Sequence, residues 1–72
     1  DGSLVVMTVD TVMRSAPSVD AQVVLVLQPG AIVAPLGEPV AAEGEQWTPV
    51  RDPESGTIGY IRASDLEPAP GD

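Results

Sequence analysis

The sequence predicts a small all-β barrel, and three observations predict it. Val, Ile and Thr dominate the middle of the chain, and these residues suit a pleated, half-buried surface. Seven Gly and eight Pro punctuate it at intervals of about eight to twelve residues, the spacing of short strands in a barrel or sandwich. With 72 residues there is room for one small core, and an open two- or three-stranded sheet would leave edges that a chain 43% hydrophobic tolerates poorly.

Each element follows from its local chemistry. Residues 4–9 and Thr11–Arg14 read as strand broken near Asp10. Ser15-Ala16-Pro17-Ser18 then forces a turn, because Pro fixes its own φ and restricts its predecessor. Residues 18–22 read as a single helical turn. Val23–Leu27 is a continuously apolar strand ended by Gln28-Pro29-Gly30, and residues 31–36 are expected to return as its antiparallel partner. Residues 37–45 hold three Glu, two Gly and a Pro, the composition of a solvated loop. Residues 47–51 form the next strand, with Pro49 arguing for an edge or bulge where no ladder donor is needed. Asp52-Pro53-Glu54-Ser55-Gly56 is a turn built from Asx and Pro preorganisation, with Gly supplying positive φ, and residues 57–61 close that hairpin. Ala63-Ser64-Asp65 reads as a short helical turn, and Leu66 returns to the core. The remaining Pro-rich residues look like a tether. The expected layout is thus a linker over 1–4, one domain over 5–67 and a tail over 68–72, without internal repeats. The expected core is Val6, Met13, Val24, Leu27, Val33, Leu36, Trp47, Val50, Ile58, Tyr60 and Leu66.

Composition excludes whole classes of function. Three Arg, no Lys and eleven acids give a net charge of −8, which repels phosphate backbones and anionic lipid, so neither nucleic acid nor membrane insertion is expected. The longest apolar run, Val23–Leu27, is five residues against the ~20 needed to span a bilayer. The chain lacks both Cys and His, hence a thiol nucleophile, a disulfide, an imidazole base and the nitrogen and sulfur ligands of metals. No catalytic, cofactor-binding or metal-binding residue is therefore assigned. Without a Met start or a charged-then-apolar leader, the sequence reads as a processed or excised chain.

Four boxes stand in order: Met13-Arg14-Ser15-Ala16-Pro17-Ser18; Val23–Leu27 with Pro29-Gly30; Gln46-Trp47-Thr48-Pro49-Val50-Arg51; and Gly59-Tyr60-Ile61-Arg62-Ala63-Ser64-Asp65-Leu66. In that order and spacing the chain resembles the bacterial SH3-like domain family, whose members carry an N-V-R-S-G-P-S box, a K-G-T turn, a W-x-x-V strand and a closing G-Y/W-V-x-x-x-x-L. The resemblance implies a five-stranded SH3-like barrel with a short helical turn near the C-terminus. It also implies a non-catalytic module of a secreted or cell-envelope protein, extracellular in location. Such a module binds cell-wall peptide or glycan, or contacts a protein partner or neighbouring domain. Val12 replaces the family's usual Asn and Ala16 its commoner Gly, so contacts made through that Asn do not carry over.

Two sets of site residues stand out. Arg14 offers a bidentate fork to a carboxylate ligand, or pairs internally with one of the acids. Trp47 and Tyr60 offer a stacking platform, or, as the only aromatics, fill the core. Glu43, Glu45, Asp52 and Glu54 lack the spacing of a calcium loop and read as a solvated face. The second set is apolar. In a period of two, Val24 and Val26 point away from Val23, Leu25 and Leu27, so one set is left outside unless a bulge intervenes. Val24, Val26 and Ile32 are the candidate interface of the alternative function, a structural subunit that forms a homo-oligomer through the apolar hairpin 23–32 or a free strand edge.

Overall fold

The computed structural model describes residues 3–69, and every strand pairing in it is antiparallel. Its elements are β1 (Leu4–Val6), β2 (Thr11–Arg14), β3 (Val23–Leu27), β4 (Ile32–Pro35), β5 (Val40–Ala42), β6 (Glu45–Arg51), β7 (Ile58–Arg62), a 3-10 turn (Ala63–Asp65) and β8 (Leu66–Pro68). The strands run β3-β2-β7-β6-β4-β1-β8, with β5 alongside β6. They form a small all-β barrel whose strand β4 bridges two sheets. Its first half pairs with β1 (Leu4↔Val33, Val5↔Ile32) and its second half with β6 (Ala34↔Arg51, Pro35↔Val50).

The barrel interior is filled by Val6, Met13, Leu27, Val33, Val50, Ile61 and Leu66, with Leu4, Leu25 and Ala31 packed against them. Fully burying one such aliphatic side chain is worth about 1.5–3 kcal/mol. Four expected core residues lie elsewhere. Val24, Leu36 and Ile58 are exposed and Tyr60 is half-buried. The error on β7 is one of phase. Ile58 is 61% exposed and Ile61 is fully buried, because Gly59 and Ile61 face inward. Gly59 occupies an inward position because nothing larger fits: a Cβ there would stand 2.6 Å from Met13 Cγ and 2.7 Å from the Arg14 carbonyl oxygen.

The expected hairpin of β3 with β4 does not form. β3 pairs with β2 instead (Thr11↔Leu27, Val12↔Val26, Met13↔Leu25), with a bulge before Arg14↔Val23. The turn at Gln28-Pro29-Gly30 is present, closed by Ala31 N–H donating to the Gln28 carbonyl at 3.1 Å with Gly30 at φ +94°. It carries the chain to a different sheet: Gly30 N–H donates to the Val6 carbonyl at 2.8 Å and Val6 N–H to the Ala31 carbonyl at 2.9 Å. Local turn chemistry specifies a reversal but not which strand lies next to it.

The stretch 37–45 contains structure that its composition hid. β5 pairs with the start of β6 (Val40↔Trp47, Ala42↔Glu45) across Glu43-Gly44, both at positive φ (55° and 78°), as a two-residue hairpin turn requires. Pro49 lies inside a central strand rather than at an edge, opposite Tyr60. Its carbonyl accepts from Leu36 N–H at 2.8 Å, where β4 has ended and β5 has not begun, so no ladder donor is missed. The hairpin β6–β7 runs as expected from Trp47↔Arg62 to Arg51↔Ile58. Its turn is held by Asp52, whose Oδ2 accepts from Ser55 Oγ at 2.7 Å and Ser55 N–H at 3.2 Å. Residues 18–22 form a hydrogen-bonded turn, Ala21 N–H to the Ser18 carbonyl at 3.2 Å, and not a helical element. With β5 and β8 added and the first segment split, the described residues form eight short strands rather than five. The β1–β8 ladder includes Leu4↔Pro68, which the sequence placed in the flanking segments, and residues 70–72 of the tail lie outside the described residues. Among the described residues no helix is long and apolar enough to cross a membrane.

Candidate binding groove

β2 and β7 share a single pair, Arg14↔Tyr60, before they diverge. The close approach at that pair is possible because Gly59 has no side chain to hold the strands apart. Beyond it, the gap between the strands is a groove of about 260 Å³ lined by Thr8, Val9, Asp10, Thr11, Val12, Trp47, Arg62 and Asp65. Three parts of the chain build it: the segment entering β2, the outer face of β6–β7 and the 3-10 turn.

The entering segment is stiffened from within. Asp10 adopts φ 53°, and its Oδ1 accepts from Gln28 Nε2 at 3.0 Å. Buried Thr11 donates to the Thr8 carbonyl at 3.0 Å, with the two hydroxyls 2.6 Å apart. The Thr11 proton is thus committed to the turn while exposed Thr8 Oγ1 keeps acceptor capacity, so the groove's polar groups are Thr8, Asp10, Asp65 and Arg62 beside the side chains of Val9 and Val12.

Trp47 lies three residues from Val50 on β6 and so faces away from the barrel interior. It is nevertheless 1% exposed. β5 covers it, with indole Nε1–H donating to the Ala42 carbonyl at 3.2 Å, and the Arg62 guanidinium lies 5.6 Å from the ring centroid. That cation–π contact is worth about 0.5–1 kcal/mol at a partly exposed site. Arg62 Nε also lies 3.3 Å from Glu45 Oε1. Trp47 therefore forms a wall of the groove and is no open stacking platform. Its indole is a second small core on the outer face.

The other sequence candidates fall nearby. Arg14 and Tyr60 are cross-strand neighbours on that outer face, and Pro49 is paired with Tyr60 on the other side. Arg14 reaches back along its own hairpin to a backbone acceptor: Nη1–H donates to the Ala21 carbonyl at 2.8 Å. Its Nε is buried without a hydrogen-bond partner among the described residues. Neither Arg14 nor Tyr60 lines the groove, whereas Trp47 does. Val24 and Val26 are exposed on β3, and Ile32 is exposed on β4 opposite Val5, so the three do not lie on one hairpin. Sequence reasoning missed Arg62, Asp65 and the segment 8–12. The available signal was that Trp47, Arg62 and Asp65 stand in two boxes joined by one hairpin.

The tip of the β2–β3 hairpin is tied to the β5–β6 turn. Glu43 accepts from Ser18 Oγ at 3.1 Å and from Val19 N–H at 2.9 Å. This contact joins the two hairpin tips through one exposed carboxylate.

Compared with known proteins, the chain matches the family model for the bacterial SH3 domain over residues 8–68. The chain belongs to the bacterial SH3 domain family. The matched stretch includes every residue that lines the groove and every strand after β1. No curated protein and no solved structure matches the chain. Bacterial SH3 domains are in general binding modules rather than catalysts, and they mediate interactions.

Proposed function

We propose that this bacterial SH3 domain is the non-catalytic binding module of a secreted or cell-envelope protein, and that an extended peptide, such as a cell-wall peptide, lies in the β2–β7 groove. The observation that carries the reading is the divergence of β2 and β7 after one pair, which opens a concave site walled by Trp47, Arg62 and Val12. Its size suits a few residues of extended chain and is at the small end for a ligand pocket. Arg62 is paired with Glu45, while Asp10 and Asp65 leave the rim acidic. The reading predicts that the groove prefers peptides with a free ammonium over those ending in carboxylates.

The test is co-sedimentation of the purified domain with isolated peptidoglycan, beside an NMR titration with soluble stem-peptide fragments. The domain should pellet only with the wall material, and Asp65→Asn should release it several-fold while Glu54→Gln, in the 52–56 turn, has no effect. A domain that stays in solution and shows no shift at Thr8, Val12, Arg62 or Asp65 would remove cell-wall peptide as its ligand. The alternative of a self-associating subunit drew on the 23–32 hairpin. That hairpin does not form, so a homo-oligomer would use an exposed strand edge, the other half of that alternative; β3, β5 and β8 each pair with a single strand among the described residues.

A further inference from the structure

β3 ends the strand order and pairs only with β2, so one row of its backbone N–H and C=O groups has no strand partner among the described residues. Edge strands are ordinarily blunted by a charge, a Pro or a bulge that turns the edge away. The sequence of β3, Val-Val-Leu-Val-Leu, carries no charged residue, Pro or Gly. Its one bulge is at Val24, skipped where the register with β2 passes from Met13↔Leu25 to Arg14↔Val23, so it bends only the N-terminal end of the strand and leaves Leu25–Leu27 in a regular ladder. Leu27 is buried and Leu25 packs on the core, whereas Val23, Val24 and Val26 remain 41%, 37% and 52% exposed. A strand laid on this edge would gain main-chain hydrogen bonds, and its side chains would meet Val26 on the outer face, with exposed Val23 and Val24 at the bulge.

The charges around the edge select the occupant. At its C-terminal end stands Asp10, hydrogen-bonded to Gln28. At its N-terminal end stand exposed Asp20 and Glu43, the latter 2.9 Å from Val19 N, against Arg14, whose guanidinium is turned to the Ala21 carbonyl. Among the described residues each end thus carries one net negative charge, in a chain of net charge −8. A second copy paired antiparallel would bring the Asp20 end of one strand to the Asp10 end of the other, acid against acid. We propose that the free edge of β3 docks an extended segment of a partner protein, apolar at alternate positions and flanked at both ends by Lys or Arg. This goes beyond the groove and stands or falls independently of it.

The test is an amide NMR titration of the ¹⁵N-labelled domain with the capped peptide Lys-Val-Thr-Val-Thr-Val-Lys, beside the same peptide with Glu at both ends. The Lys peptide should shift the amides of Val23–Leu27, slow their solvent exchange roughly tenfold at saturation, and bind several-fold more weakly when ionic strength rises from about 0.05 to about 0.3 M. The double variant Val24→Thr/Val26→Thr keeps β-branched side chains and so the strand, and it should weaken binding at least about threefold. Equal binding of the Glu peptide would overturn the charge argument. Shifts confined to Thr8, Val12, Arg62 and Asp65 would place the peptide in the groove instead. Concentration-dependent dimerisation, broadening the β3 amides without peptide, would make a second copy the occupant and refute the proposal.

Discussion

Replacing Gly59 by Ala tests the idea that one missing side chain both packs the barrel and sets the groove. The new Cβ would stand 2.6 Å from Met13 Cγ, 3.0 Å from Met13 Sδ and 2.7 Å from the Arg14 carbonyl oxygen. The thioether has rotamers to spare, but the carbonyl belongs to the only β2–β7 pair. Relief therefore requires the two strands to part. Overpacking of this kind costs about 1–3 kcal/mol. A domain of this size has roughly 4–11 kcal/mol to lose, so a cost of about 2 kcal/mol lowers Tm by about 8–16 °C. Urea unfolding followed by Trp47 fluorescence measures the loss. Gly44→Ala is the control: nothing lies within 4 Å of its Cβ position, so its φ of +78° alone is at stake, at roughly 1 kcal/mol. Adding Met13→Ala to Gly59→Ala should recover little, because the backbone oxygen remains. The reasoning is refuted if Gly59→Ala costs no more than Gly44→Ala, or if truncating Met13 restores full stability.

Further substitutions probe other parts of the argument. Ile61→Ala should cost about 2–4 kcal/mol while Ile58→Ala stays near neutral, and urea midpoints decide which residue of β7 faces inward. Trp47→Ala should cost about 3–5 kcal/mol, because the ring is buried, and the protein should lose near-native dispersion in its NMR spectrum. The Asp52 carboxyl is held below its ordinary value of 3.8, first by the Ser55 hydroxyl and then by backbone N–H donors, against opposing desolvation. A depressed folded value means that the turn's contribution is complete above pH 3.8 and is lost as pH falls through the lower folded value. Asp52→Asn should flatten that part of the stability–pH curve, as read by thermal melts between neutral and acid pH. Glu43→Gln should cost less than about 1 kcal/mol yet speed amide exchange at Val19, since the tie to the β2–β3 tip is exposed.

The sequence by itself determined the class of fold, most turns and the positions of all strands but β5 and β8, because these depend on residues close in the chain. Asp52 and Gly56 announce their turn through a local side-chain hydrogen bond and a positive φ, and the structure has both. The four boxes carried the family. What needed tertiary structure was pairing and phase. Val23–Leu27 was legible as a strand, but an apolar run with no alternation cannot say which neighbour it pairs with, and β2 won over β4. Ile58 and Ile61 are equally apolar, and only the contact of Gly59 with Met13 and Arg14 settles which of them turns inward. Trp47 was found and Arg62 and Asp65 were not, because the groove is a gap between strands that part after one pair. A gap between distant segments leaves no local pattern in the sequence, since it is created by where packing stops.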